Sequence, residues 1–203
     1  MQNEYKENRM FEEMLKAARL KLAGRSAEEI SEKTKIGFDK ETSGFYLKSL
    51  GKDVEISYPE FEFSSEIQEW HALTILHYMD MSNGTLPFDS IISFSQLKNG
   101  MIRGGGFDRR VEQVLERLTE EMSEEQIVDI CLKMDGKIIK SNADLCVVFD
   151  YLPLYPVMLK IWFADEEFPG TGRMFLDKSA DAHLTVEDAV TVGEMILEEL
   201  QAR

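Results

Sequence analysis

Apolar residues recur along this chain with two different periods, and the switch between them marks out the elements. From residue 3 to residue 23, Tyr5, Phe11, Met14, Leu15, Ala18 and Leu22 fall on one stripe of a 3.6-residue period. That spacing predicts an amphipathic helix, closed by Gly24 in the left-handed conformation. Ser26 with Glu29 three places on is a capping-box pattern and opens a short second helix. Between Ile36 and Phe63 the period falls to two. Phe45 to Leu47 and Val54 to Tyr58 read as antiparallel strands around a turn at Gly51, Lys52 and Asp53. Phe61 and Phe63 alternate with Glu60 and Glu62, a further stretch with one dry and one wet face. Ser65 and Gln68 open a third helix, running to Met81 and stopped at Asn83-Gly84. It is apolar almost all round, which predicts a central position.

Further on, Ile91 to Phe94 is a short apolar run. Gly104, Gly105 and Gly106 then precede a helix whose stripe is Val111, Val114, Leu115 and Leu118. Ser123 and Gln126 cap the next helix, with Ile127, Ile130, Cys131 and Met134 inward and Gly136 as its stop. Lys137 to Lys140 reads as a short strand. Two β-rich apolar runs follow, Leu145 to Asp150 and Val157 to Ala164, around a turn held by Pro153 and Pro156, the pattern of a buried hairpin. The second run holds seven apolar residues and one lysine, which predicts a central strand covered on both faces. Arg173 to Leu176 adds a short strand. Thr185 caps a last helix, with Glu187 and Asp188 in its first turn, where acids favour the helix dipole. Helices and strands in this order predict one α+β domain over residues 1–203, with a mostly antiparallel sheet and about six helices.

Charge narrows the function. The net charge of −15 opposes contact with phosphate backbones and anionic membranes, so neither nucleic acid nor a membrane is an expected partner. No window approaches the ~20 apolar residues of a membrane span, and the first residues lack an apolar signal core, so a cytoplasmic protein is expected. The two cysteines, Cys131 and Cys146, sit inside apolar patterns and read as buried reduced thiols.

Three groups of residues suggest chemistry. Asp165 and Glu167 follow the hairpin, with Asp177 beyond them. Alternate strand residues share a face, so this set is a candidate site for a hard divalent cation or for acid–base catalysis, with His77 or His183 as a helper. The opposing reading has these acids pairing with Arg173, Arg109 or Arg110, or capping nearby backbone. His77 and Asp80, at i and i+3 of a helix, are either half of a metal site or a histidine steadied by a carboxylate. Arg103, Gly105, Gly106, Arg109 and Arg110 surround a glycine-rich approach to a helix N-terminus, the setting of an anion site, though without the spacing of a phosphate-binding loop.

Several motifs share their order and spacing with one family. They are Leu76-His77-Tyr78, Ile92-Ser93-Phe94, Gly106-Phe107-Asp108-Arg109-Arg110, Leu152-Pro153 with Pro156, and Ile161-Trp162. Asp165-Glu166-Glu167-Phe168-Pro169, Leu176-Asp177 and Leu184 to Glu187-Asp188 continue the series. On these the chain resembles the domain-of-unknown-function family 3786 of anaerobic bacteria and archaea. The resemblance covers residues 61–203 as the family core and residues 1–60 poorly. Leu154 stands where similar sequences often have arginine, and Ala164 where they often have glycine. The resemblance implies no established activity. It does imply a setting in anaerobic one-carbon or corrinoid metabolism, and proteins fused to cysteine-rich iron–sulfur segments. With two cysteines this chain is not expected to hold such a cluster itself. The function expected from the sequence is a binding module for a small molecule or a protein partner. The alternative is a metal-dependent or acid–base enzyme built on Asp165 and Glu167.

Overall fold

Two long β-runs around Pro153 and Leu154 form the centre of the structure, a computed structural model that describes residues 2–64 and 66–202, with side chains from residue 9 onward. They are β6 (Leu145–Leu152) and β7 (Tyr155–Trp162), paired antiparallel. β8 (Thr171–Asp177) lies on the other side of β7, and β4 (Ile91–Ile92) and β5 (Lys137–Ile138) close the edges in the order β4-β8-β7-β6-β5. A separate antiparallel sheet runs β1-β2-β3 (Gly37–Asp39, Gly44–Ser49, Lys52–Ser57). The described residues form six helices: α1 (Gln2–Leu22), α2 (Ala27–Thr34), α3 (Glu69–Met81), α4 (Gly100–Glu121), α5 (Glu124–Lys133) and α6 (Val186–Gln201). The architecture is α+β with antiparallel sheets.

One face of the large sheet carries the core. Val147, Phe149 and Tyr151 of β6, Val157, Leu159 and Ile161 of β7, and Met174 and Leu176 of β8 all point inward and are buried. α4 lies against β8, α6 against α4, and α3 between α6 and α1. As its sequence predicts, α3 is buried nearly all round. The two sheets are tied together where Ser49 Oγ donates to the Tyr151 carbonyl at 2.6 Å.

The structure departs from the sequence pattern in four places. The β2–β3 turn is Leu50-Gly51, both at positive φ, so Lys52 and Asp53 already belong to β3. Gly51 is required there on two counts, its φ of +76° and the Lys133 carbonyl 2.3 Å from where a Cβ would stand. Phe61 and Phe63 form no strand. Phe61 takes φ +55° to bury its ring against Phe45 and Tyr58, and Phe63 keeps a single bridge to Ile56. The glycine triplet lies inside α4, not ahead of it. Gly104 is where the helix crosses Phe94, and a Cβ there would stand 2.1 Å from the Phe94 carbonyl oxygen. Finally, β7 is central but covered on one face only. Its residues alternate between buried and half-buried from Tyr155 to Trp162. Tyr5 and Ser65, assigned above to the first and third helices, lie outside the residues whose side chains are described.

Candidate functional site

α3 packs against α6, and a cleft opens between them beside α1. Thr185 caps α6: its Oγ accepts the Asp188 N–H at 3.2 Å, and Asp188 Oδ2 in return accepts the Thr185 hydroxyl at 2.7 Å. The reciprocal cap fixes the Asp188 carboxylate at the head of the helix. Its other oxygen accepts a hydrogen bond from His77 Nδ1 at 2.6 Å, across from α3. Burial raises the Asp188 pKa, but the hydrogen bonds from His77 and Thr185 outweigh it, so the carboxyl is held below its ordinary range.

A carboxylate only accepts, so Nδ1 of His77 carries a hydrogen, and whenever the ring is neutral Nε2 is its acceptor. Among the described residues Nε2 has no hydrogen-bond partner. The His77 side chain is 26 % exposed, on the wall of a cleft of about 340 Å³. Met14 and Lys21 of α1, Trp70, Leu73, Thr74 and Met81 of α3, and Thr185, Glu187 and Thr191 of the α6 end complete the lining. Trp70 is 44 % exposed and rests edge-on against Phe11, ring centres 5.1 Å apart. It also borders a second hollow of about 230 Å³, lined by Arg103, Gln68, Glu194 and Glu198 among others.

The other two histidines are structural. His71 is buried; Ser49 gives its only hydroxyl hydrogen to Tyr151, so His71 Nε2 donates to Ser49 Oγ at 2.7 Å. Burial, helped by Lys52, lowers its pKa to about 4. His183 is buried, bonded through Nδ1 to Ser82 at 2.9 Å, with its pKa also lowered by burial.

Of the candidate residues read from the sequence, His77 reaches the cleft, but not with Asp80. Asp80 pairs with Arg25 at 3.0 Å instead. The carboxylate set does not assemble. Asp165 lies in the loop after β7, where Oδ1 accepts the N–H groups of Glu167 and Phe168, both at 2.8 Å, and these bonds keep its pKa low. Asp177 ends β8 and accepts the N–H groups of Phe88, Ser90 and Ser179. The 165–167 loop precedes the opposite end of that strand, so six residues, roughly 20 Å, separate the two groups. Among the described residues no three His, Cys, Asp or Glu side chains gather to hold a metal ion. Asp165 and Asp177 thus cap nearby backbone, one branch of the opposing reading, and do not pair with the arginines: Arg173 pairs with Glu112 at 3.2 Å and Arg110 with Glu194 at 2.7 Å. The backbone of Gly105 and Gly106 is helical, so the anion nest expected there does not form. Arg109 is exposed on α4, and only Arg103 borders the cleft system.

Asp188 and Trp70 are the residues that sequence reasoning missed. Asp188 stands 111 positions from His77, and its role as a helix cap explains it locally. Trp70 sits on an apolar helix and reads as core.

A family model described as Domain of unknown function (DUF3786) matches residues 26–199. The chain belongs to this family. The matched span runs from the cap of α2 into α6, so it takes in both sheets and the His77–Asp188 pair, and leaves the whole of α1 outside, with Met14 and Lys21. No curated protein and no solved structure matches the chain. Among the described residues no helix is long and apolar enough to cross a membrane.

Proposed function

We propose that this protein is a cytosolic binding module for a small molecule, seated in the cleft between α1, α3 and α6. The observation that carries this reading is the His77–Asp188 bond. A carboxylate with both oxygens engaged fixes one imidazole nitrogen and leaves the other free on the wall of a hollow. Preset polar groups in a mostly apolar recess are what small-molecule sites consist of. Trp70, Leu73, Met14 and Met81 suit an apolar body, and Nε2 suits a hydroxyl or amine hydrogen. At about 340 Å³ the cleft takes a small metabolite. A corrinoid ring is far larger, so a link to one-carbon chemistry would run through a small reactant.

The same bond favours a second reading. With Nδ1–H held by Asp188, Nε2 is placed as a general base facing the cleft, so acid–base catalysis on a bound substrate belongs to His77 and not to the 165–167 loop.

The test is thermal unfolding of the purified protein with a panel of small hydroxy, amino and one-carbon metabolites. A ligand at ~100 times its Kd stabilises the fold by roughly 2.7 kcal/mol, a shift of several degrees. The shift should vanish in His77→Gln and shrink in Trp70→Ala. A ligand whose shift survives both substitutions binds elsewhere and sinks this reading.

A further inference from the structure

The outer face of the large sheet is apolar and only partly shielded by the described chain: Cys146 is buried there, but Val148, Met158 and Phe175 are half-buried. Strand register places Met158 beside Phe175 and Val148, with Pro156 and Ile91 nearby. A hollow of about 300 Å³ lies among them, bounded by Pro87 and Ile139. Ile91 and Ile139 are 42 % and 41 % exposed. The sequence of β7 is that of a strand covered on both faces, yet the chain supplies one cover. A contiguous apolar face of this kind marks an interface.

Charge identifies the second cover. Most charged groups on this face are already matched: Lys137 with Asp150, Arg173 with Glu112, and Asp177 with three backbone N–H groups. Two are left. Lys160 bonds only the Asn142 amide oxygen and lies 5.8 Å from the centre of the Phe175 ring, with no carboxylate among the described residues. Asp89 borders the hollow at the Pro156 end of β7 and has no side-chain partner among the described residues. One unmatched cation and one unmatched anion flank Met158 on opposite sides. A face with that pattern is complementary to itself when turned by a half-rotation. We propose that it seats a second copy of this chain, face to face about a twofold axis near Met158, with Lys160 of each copy against Asp89 of the other.

The face is built on three long strands, β6, β7 and β8, with β4 and β5 adding two residues each at its edges. At ~4.8 Å between strands and ~3.3 Å per residue the three span roughly 14 by 26 Å, a footprint on the order of 400 Å². That is about half of the ~800 Å² each partner contributes to a standard interface, the size of a small, concentration-dependent one. With a net charge of −15 per copy, the face must supply its own attraction.

Sedimentation velocity across the micromolar range tests this. The wild-type chain should sediment as a dimer, and Met158→Glu as a folded monomer with an unchanged far-ultraviolet circular dichroism spectrum. Asp89→Lys and Lys160→Glu should each weaken dimerisation on the order of tenfold or more, and the double reversal should restore it. A wild-type monomer at every concentration overturns the proposal. So does a double reversal that is weaker than either single one, because the half-rotation requires the two charges to meet.

Discussion

His71 and His77 lie on one helix six residues apart and have opposite fates. His71 turns into the core, where a charge has no partner, and its pKa falls to about 4. His77 turns to the cleft, where Asp188 takes its Nδ1–H. The first fate has a consequence for stability. The unfolded chain takes up the His71 proton near the ordinary value of 6.5 and the folded chain only near 4, so the unfolded state binds more protons between them. Stability is therefore full above pH 6.5 and falls as the pH drops toward 4. The gap amounts to on the order of 3 kcal/mol. His183, lowered in the same direction, adds to the loss. Urea unfolding at pH 7 and pH 4.5 measures it; a midpoint that does not move would show that His71 is charged or exposed in the fold. None of this division was legible in the sequence. Both histidines sit in an apolar run, and the partners that decide between them, Ser49 and Asp188, are brought in by the tertiary fold.

At the scale of elements, the helix boundaries were the most readable part of the chain, because caps are local. The Ser123–Gln126 box forms as its spacing predicts, Thr185 caps α6, and Gln68 caps α3 by accepting the His71 N–H. Glycine was the least readable. Three in a row signal a loop, yet Gly104 is the close-approach point of α4 against Phe94, and the helix continues through its neighbours. The three positions should then respond differently to a methyl group. Nothing lies within 4 Å of a Cβ at Gly106, so Gly106→Ala should stabilise the protein by about 0.5–1 kcal/mol through helix propensity alone. Gly104→Ala should destabilise it by about 1–3 kcal/mol, because the atom in the way is backbone. Urea midpoints of the two variants test this. Equal effects at both positions would mean that α4 starts after the glycines, as the sequence first suggests.

At the scale of the molecule, the α+β class and the central hairpin follow from period and turn residues. The position of the site does not. The acidic run after β7 stands out in the sequence but lies in an exposed loop, where Asp165 bonds the backbone N–H groups of Glu167 and Phe168. The cleft is assembled from α1, α3 and α6, and no single stretch of chain announces it. The net charge shapes what can approach: a ligand must bring its own apolar body or hydrogen to Nε2, since long-range attraction favours cations alone.

The most direct measurement is nitrogen-15 NMR of the three histidine rings, taken before and after adding the metabolite that gives the largest thermal shift. The His77 ring should carry its hydrogen on Nδ1 in the free protein. Its Nε2 signal should move on binding while those of His71 and His183 stay in place. A His77 ring with hydrogen on Nε2, or a bound ligand that leaves His77 unmoved, would contradict it.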